Sequence, residues 1–382
     1  MNEDPRIDIA HQVNMEQLAD RLGITGLQRV AGEMVGPCPG AGCGGIDRFS
    51  INARKGVIHC RRCGAAGDQI ELVRLVLGLD FIGALEWLAG PRQELTPAQK
   101  AEAARRAEEH RRQREAEAAQ HRRKSIEQAR RIWSGGQPAD DSLVIDYLTR
   151  RGIRPRVGVP LPRCFRFEPS ARLVVPDPRR PREFKTVHEG PAMLAAILSP
   201  DGQLSGVHRT WLDLAQPKGK LVAPHPFKPG QTVPAKKVYG SKKGGAIRIY
   251  TPRDAVCLVM AEGIETTLSA LAARGIPSAA YWAGVDLGNM AGARELGPGK
   301  KFAGIPDLSD RDAFVPPPWV QRLVYVQDGD SEPRLTRAKL LAGLRRAKAV
   351  RPGLTAAIVH PGAGRDLNDL LMGARDISTE GK

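Results

Sequence analysis

Val256-Cys-Leu-Val-Met-Ala-Glu262-Gly-Ile-Glu-Thr-Thr-Leu-Ser269 decides how the rest of the chain is read. Its apolar run stops at Glu262-Gly263 and resumes at helical spacing through Ile264, Leu268 and Leu271, the pattern of a buried parallel strand, a tight turn and a helix. Glu262 therefore sits at the carboxyl end of a strand. The same layout recurs at Leu323 to Asp330, where Val324-Tyr-Val-Gln327 runs into Asp328-Gly-Asp330. Side chains alternate along an extended chain, so Asp328 and Asp330 point the same way and one divalent cation can bridge them. A third apolar strand, Ala356 to Val359, leads through Gly362 and Gly364 to Arg365-Asp366-Leu-Asn-Asp369. Carboxylates gathered from three strand ends repel one another unless Mg²⁺ or Mn²⁺ neutralises them. Such a site suits phosphoryl or nucleotidyl transfer.

Strand candidates beginning near Val256, Ala279, Leu323 and Ala356 alternate with helices Glu265 to Arg274, Asp286 to Leu296 and Leu335 to Ala349. That alternation predicts an α/β unit over residues 256–376, with a mostly parallel sheet and a ligand crevice beyond the carboxyl ends of its strands. In order, Glu262-Gly-Ile-Glu265, Asp328-Gly-Asp330 and Gly364-Arg-Asp-Leu-Asn-Asp369 resemble the Toprim domain of bacterial-type primases, topoisomerases and some nucleases. The resemblance implies that Asp328, Asp330 and Asp366 bind magnesium or manganese, that Glu262 is the general base, and that Glu265 and Asp369 support them. Asn368 stands where related primases often carry an aspartate.

The chain has 382 residues, enough for two or three domains with cores of their own, and a formal net charge of +16. That balance predicts a polyanionic partner. Nucleic acid fits better than a membrane, because no segment approaches the run of about 18 apolar residues that a spanning helix needs. The amino terminus, Met-Asn-Glu-Asp-Pro-Arg, is polar and shows no secretory leader, so a reducing bacterial cytoplasm is the expected compartment. There, six cysteines read as metal ligands or buried thiols rather than disulfides.

Four of the six fall in pairs, Cys38 with Cys43 and Cys60 with Cys63, separated by a segment that can fold as a hairpin. Opposed turns carrying four thiolates make a closed tetrahedral site, so one structural zinc ion is expected in a zinc ribbon. His59, beside a ligand, is an alternative to Cys43. Cys164 and Cys257 have no partner spacing and are expected as buried thiols. The stretch Cys43-Gly-Gly-Ile-Asp-Arg-Phe49, followed by His59-Cys-Arg-Arg-Cys-Gly64 and Gly67-Asp68, resembles the zinc-binding domain of phage and plasmid primases. In that family the ribbon contacts the template, which implies cationic and stacking contacts from Arg48, Phe49, Arg61 and Arg62. Phe49 also fits as a ribbon core residue. The departure is Cys43, where many bacterial primases have a histidine.

Ahead of the ribbon, a short helix over Met15 to Leu22 and a strand-like segment to Val35 are expected. After it, Gly67 to Gly90 reads as two short amphipathic helices. Thr96 to Trp133 is rich in Ala, Glu, Gln and Arg without a core stripe, the signature of a long solvated helix acting as a linker. Residues 138 to 255 are punctuated by Pro and Gly. Short strands are expected there at Tyr147 to Ile153, Cys164 to Phe167, Ala192 to Leu198, Gly206 to Asp213 and Ala235 to Arg248. Arg209, Lys236, Lys237, Lys242, Lys243 and Arg248 form the densest cationic set, suited to a template backbone or to nucleoside triphosphates. This segment loosely resembles the amino-terminal part of the primase polymerase region.

The expected chain is thus an α+β multidomain protein: a zinc-ribbon domain (1–93), a charged helical linker (94–134), a mixed α/β basic domain (135–255) and an α/β Toprim domain (256–376). The resemblances together imply a DNA primase, which copies single-stranded DNA into short RNA primers from ribonucleoside triphosphates. No Gly-x-x-x-x-Gly-Lys-Ser/Thr occurs, so a replicative helicase on a separate chain is the expected partner. The alternatives are a Toprim-type strand-cleaving enzyme, a nuclease or topoisomerase, and a non-catalytic single-strand-binding replication accessory.

Overall fold

The computed structural model describes residues 4–30, 32–91, 97–155, 158–180, 183–273, 275–295, 297, 300–328, 332–362 and 367–379, with the side chains of 97–100, 103 and 374–379 left aside. Two compact units divide the chain, Met1–Arg111 and Arg112–Lys382.

The first unit begins with helices α1 (Arg6–Gln12) and α2 (Met15–Arg21), the latter capped by Asn14, whose side chain accepts from Glu16 and Gln17 N–H. A five-stranded antiparallel sheet follows in chain order: β1 (Gln28–Val30), β2 (Glu33–Cys38), β3 (Gly44–Asn52), β4 (Val57–Cys60) and β5 (Ala66–Gly67). Helices α3 (Gln69–Leu77) and α4 (Phe81–Ala89) are capped by Asp68 and Asp80. Leu18, Phe49, Ile51, Ile58, Leu72 and Leu85 close one core between helices and sheet. Helix α1 was not expected, yet it packs its Ala10 into that core, so the segment ahead of the ribbon is part of the domain's interior.

Helix α5 (Pro97–Gly135) is 39 residues long, as composition predicts. Its solvated character ends before its last turns. Ala129 is buried, and Ile132 and Trp133 pack with it against Leu194 and Val207. The spacing of these three apolar residues, i, i+3 and i+4, is the core stripe that the charge-rich composition hid.

The second unit continues with β6 (Gln137–Pro138), α6 (Leu143–Arg150), β7 (Phe165–Pro176), β8 (Phe184–Leu198), β9 (Leu204–Trp211), β10 (Ala223–Pro224), β11 (Thr232–Val233) and β12 (Lys236–Gly240). The order β12-β9-β8-β7-β6 makes an antiparallel sheet, and β10-β11 a two-stranded ribbon. Two expectations are corrected here. Tyr147 to Ile153 is not a strand: Ser142 caps Val144 N–H at 3.2 Å, and Val144, Tyr147 and Leu148 line the buried side of a helix. Nor are all the strands short, since β7 and β8 run 12 and 15 residues. β7 tolerates Pro169 because its register shifts between Glu168 and Ala171, where a bulge leaves the missing donor unused.

The chain ends in β13 (Ile247–Tyr250), β14 (Cys257–Ala261), α7 (Ile264–Ala273), β15 (Ala279–Ala283), α8 (Leu287–Ala291), β16 (Arg322–Val326), α9 (Pro333–Val350), β17 (Thr355–Val359) and α10 (Leu367–Thr379). Their sheet has the order β13-β15-β14-β16-β17, with β13 antiparallel at the edge and the other four strands parallel. Helix α8 stops well short of Leu296, because Gly292 takes φ 66° and turns the chain away. Helix α10 was not expected beyond the last acidic cluster. The two larger sheets of this unit share one core, in which Met193 and Ile197 of β8, Tyr147 and Leu148 of α6, Ile249 of β13 and Leu268 of α7 meet. No described helix is long and apolar enough to cross a membrane.

Candidate active site and metal centre

In the first unit the ribbon's two turns bring four sulfurs together. Cys38, Cys43, Cys60 and Cys63 offer Sγ atoms within 4.8 Å of one another, with Cys38 to Cys63 at 3.9 Å and Cys43 to Cys60 at 3.7 Å. A regular tetrahedron with metal–sulfur bonds of about 2.3 Å has edges of about 3.8 Å, so these two contacts already match the edges of a zinc site. Burial pushes the Cys38 thiol up to about 12. At Cys60 burial also acts upward, but the backbone N–H groups of Cys63 and Arg62 overcome it and hold the thiol near 6. His59 is exposed on β4, opposite Ser50, and is not part of this group.

The basic and aromatic residues near the ribbon have unequal roles. Phe49, expected either as a stacking contact or as a ribbon core residue, takes the second role: it is 0% exposed and packs in the core of helices and sheet. Arg62 donates to the Cys43 carbonyl at 2.8 Å and buttresses the turn. Arg48 is half-buried and reaches the same carbonyl at 3.5 Å. Arg61 is exposed and pairs with Asp47. The apolar side chain that does stand free at the hairpin is Ile46, 88% exposed.

In the second unit, chain order creates the crevice. β14 is followed by β15 on one side and, after α8, by β16 on its other side, so the connections diverge at β14 and β16. Ligands bind beyond the carboxyl ends of strands at such a switch point. Ala261 registers with Val326, so Glu262 and Asp328 emerge side by side, one and two residues past that pair. Thr266, on the first turn of α7, donates its hydroxyl to Asp328 at 3.2 Å. Burial raises the Glu262 carboxyl above its ordinary range, and the charges of Asp328 and Asp286 raise it further. Val285, which borders the same space, holds φ 75°, a left-handed conformation that a β-branched residue rarely takes. Asp330 and Asp366 lie outside the described residues.

The pocket these acids line, of about 290 Å³, is also lined by four cations: Arg151, Lys218, Lys220 and Lys236. Arg151 is 2% exposed, and its Nε and Nη1 have no hydrogen-bond partner among the described residues. A buried guanidinium with unused donors is costly unless an anion satisfies it. Glu265 lines the same pocket at 4% exposure, with Lys220 Nζ 2.9 Å from Oε1, Lys236 Nζ 3.0 Å from Oε2 and the Tyr147 hydroxyl donating to Oε1. Burial alone would raise this carboxyl, but the charges of Lys236 and Lys220 hold it well below its ordinary range. His208 is pushed by burial down to about 4 and stays neutral.

Of the cationic set expected from sequence, only Lys236 enters this pocket. Arg209 is buried, bound to Glu168 at 2.6 Å and stacked over Trp211 and Tyr239. Arg248 stacks on Trp282 and donates to the Ser199 carbonyl at 2.8 Å. Lys242 and Lys243 are tethered to Asp286 and Asp312, and Lys237 lies 5.5 Å from the Tyr239 ring. Asp369 is 3.8 Å from Lys218. Asn368 is fully buried, donating to the Arg151 carbonyl at 2.7 Å and to Ser269 Oγ at 3.0 Å, so its amide fastens α10 in place.

Sequence reading passed over Arg151, Tyr147, Thr266 and Lys220. Lys218-Gly219-Lys220 carried the one usable signal. Gly219 has φ 67°, and a Cβ there would meet the Tyr147 ring at 2.9 Å, so only glycine lets the loop cross the ring and deliver Lys220.

Residues 123–249 match a family model described as a domain of unknown function (DUF7146). A DNA primase of Lactococcus lactis subsp. lactis (strain IL1403) is 33% identical over 82 residues, covering 22% of this chain and 12% of that protein. The chain is similar to DNA primases. The match spans about an eighth of the primase's length. Among solved structures, the zinc-binding and RNA polymerase domains of the Aquifex aeolicus primase align with 100% of this chain and 84% of their own, at 14% identity and TM-score 0.31. A DNA primase domain from Pseudomonas aeruginosa aligns with 68% of this chain and 78% of its own, at 13% identity and TM-score 0.39.

Proposed function

We propose that the chain is a DNA primase that extends short RNA primers on single-stranded DNA, with a zinc-ribbon domain, a helical linker, a basic domain and a Toprim domain in that order. The observation that carries this reading is the pocket itself, which gathers Glu262 and Asp328 from adjacent strand ends with the buried Arg151 and the partly buried Lys220 and Lys236. Acids and cations lining one pocket, with two donors of Arg151 unused, suit a nucleoside triphosphate, whose α-phosphate would lie near the acids and whose β- and γ-phosphates would lie against the cations.

Glu262, whose carboxyl is raised by burial and by Asp328, would accept the proton of a primer 3′ hydroxyl. Arg151, Lys220 and Lys236 orient the triphosphate and receive the charge of the departing pyrophosphate. Magnesium or manganese, held by Asp328 together with Asp330 and Asp366, would supply charge neutralisation at the reacting phosphate. Asp328 and Glu262 fit that need, since two carboxylates crowded enough to raise one of them are relieved by a cation. Zinc in the four-cysteine cluster would fix the ribbon's turns, leaving Arg61 and the exposed Ile46 to meet a single strand. A separate helicase chain would open duplex, and the bacterial cytoplasm is the compartment we assign.

The test is incubation with single-stranded DNA, Mg²⁺ or Mn²⁺ and labelled nucleotides. Short products that need both template and ribonucleotides support the primase reading. Nicked template without new strands would assign the site to cleavage, and binding without either product would make the chain an accessory.

A further inference from the structure

Glu265 does not face the reacting atoms in the scheme above, yet three elements converge on it. Tyr147 comes from α6, Lys220 from the loop after β9 and Lys236 from β12, and each gives a proton donor to the one carboxylate. Two ammonium groups brought this close repel one another, and nothing but a charge between them keeps both in place. Arg151 and Lys218 line the same pocket, so four cations gather around this single buried anion.

We propose that Glu265 is a positioning residue that holds Lys220 and Lys236 as a pair against the pocket, so that Lys220 grips the terminal phosphates of a nucleotide while its ammonium keeps its proton. The proposal rests on the nucleotide-binding reading above. Lys220 is the member of the pair that titrates near neutrality. Burial lowers it to about 8, and the charges of Lys236 and Arg151 add to that lowering while Glu265 opposes it. Lys236 is raised, because the Glu265 charge outweighs its burial. The other groups around the pocket do not titrate near 8 in a way that mimics Lys220. His208 is neutral, burial drives the Tyr147 hydroxyl upward, and burial with the charges of Asp328 and Asp286 raises the Glu262 carboxyl, whose ionisation adds negative charge rather than removing a cation. Phosphate grip is therefore full below about 8 and falls as pH rises through it.

Calorimetric binding of ATP to the full chain, whose partner phosphates do not titrate above neutrality, reads this directly. The parent should lose about tenfold in affinity on passing from the acid to the alkaline side of that value, the cost of about 1.4 kcal/mol at one phosphate contact. Glu265→Gln keeps the shape and removes the charge, so its alkaline fall should begin about one pH unit lower. Lys220→Arg should hold its affinity across the range, because a guanidinium does not deprotonate there. If Glu265→Gln melts too low to measure, the Lys220→Arg and Lys220→Met profiles decide alone, the second being weak and flat. An alkaline fall that survives Lys220→Arg, or stays at the same pH in a folded Glu265→Gln, overturns the proposal and leaves nucleotide binding intact. A parent that binds no ATP overturns the nucleotide reading itself.

Discussion

Glu262 and Asp328 leave neighbouring parallel strands one and two residues past the registered pair Ala261 and Val326, so their carboxylates share one crevice although 66 positions separate them in the chain. Asp328→Asn removes half of that charge without changing shape. Template-directed nucleotide addition should fall by about 100-fold or more, the scale of losing one preorganised electrostatic group. Affinity for single-stranded DNA should stay equal or rise, since a carboxylate facing phosphates is repulsive. Near-normal synthesis by the variant would place the chemistry elsewhere.

The shared field also sets a stability profile. Glu262 is raised by burial and by Asp328 and Asp286, so in the folded chain its carboxyl holds its proton to higher pH than an ordinary glutamate does. A raised group supports the fold while protonated and loses that advantage as pH climbs past its folded value. Glu262→Gln should therefore melt higher than the parent near neutral pH, and the gap should close as pH falls into and below the ordinary glutamate range. For a unit of this size each kcal/mol relieved corresponds to about 2–4 °C in Tm. Added Mg²⁺ should narrow the gap by neutralising the same carboxylates. A gap of constant size at every pH would contradict the assigned cause.

Zinc content gives a third expectation. Cys60→Ser removes one vertex of the sulfur tetrahedron, and elemental analysis should show the parent's single zinc lost, with the Met1–Arg111 unit unfolded and the Arg112–Lys382 unit melting as before. Cys164→Ser, at a buried thiol in the other unit, should keep its zinc. Full retention in Cys60→Ser would remove that cysteine from the ligand set.

Arg209 tests which cations are structural. It is buried, bound to Glu168 and in contact with the Trp211 and Tyr239 rings. Arg209→Ala should cost about 3–5 kcal/mol of stability, because it strands a partly buried carboxylate. The slope of DNA affinity against salt should not change. A slope reduced by about 0.7, the value for one single-strand phosphate contact, with stability intact, would return Arg209 to the binding surface.

The sequence by itself determined the elements that depend on local pattern. Paired cysteines on opposed turns specify the ribbon, because ligand spacing is a property of short segments. Apolar runs ending in Glu262 and Asp328 specify parallel strands with acids at their carboxyl ends, because burial on both faces demands continuous apolar sequence. What lay hidden was wherever charge masked packing: Ala129, Ile132 and Trp133 inside an arginine-rich helix, and Arg209 and Arg248, which read as phosphate-binding cations and are stacked on aromatic rings.

Only the tertiary structure decided what the cations do. Lys220 and Arg151 stand in loops and helix ends whose local pattern carries no sign of burial, and they reach Glu265 and the pocket from positions 45 and 114 residues away in the chain. A charge's role is set by its solvation and its counter-charge, and both are long-range quantities. Residue type could name the candidates. The crossing of α6, the loop after β9 and α7 chose among them, turning Lys220 into a partly desolvated ammonium near 8 while leaving Lys243 a tethered surface charge.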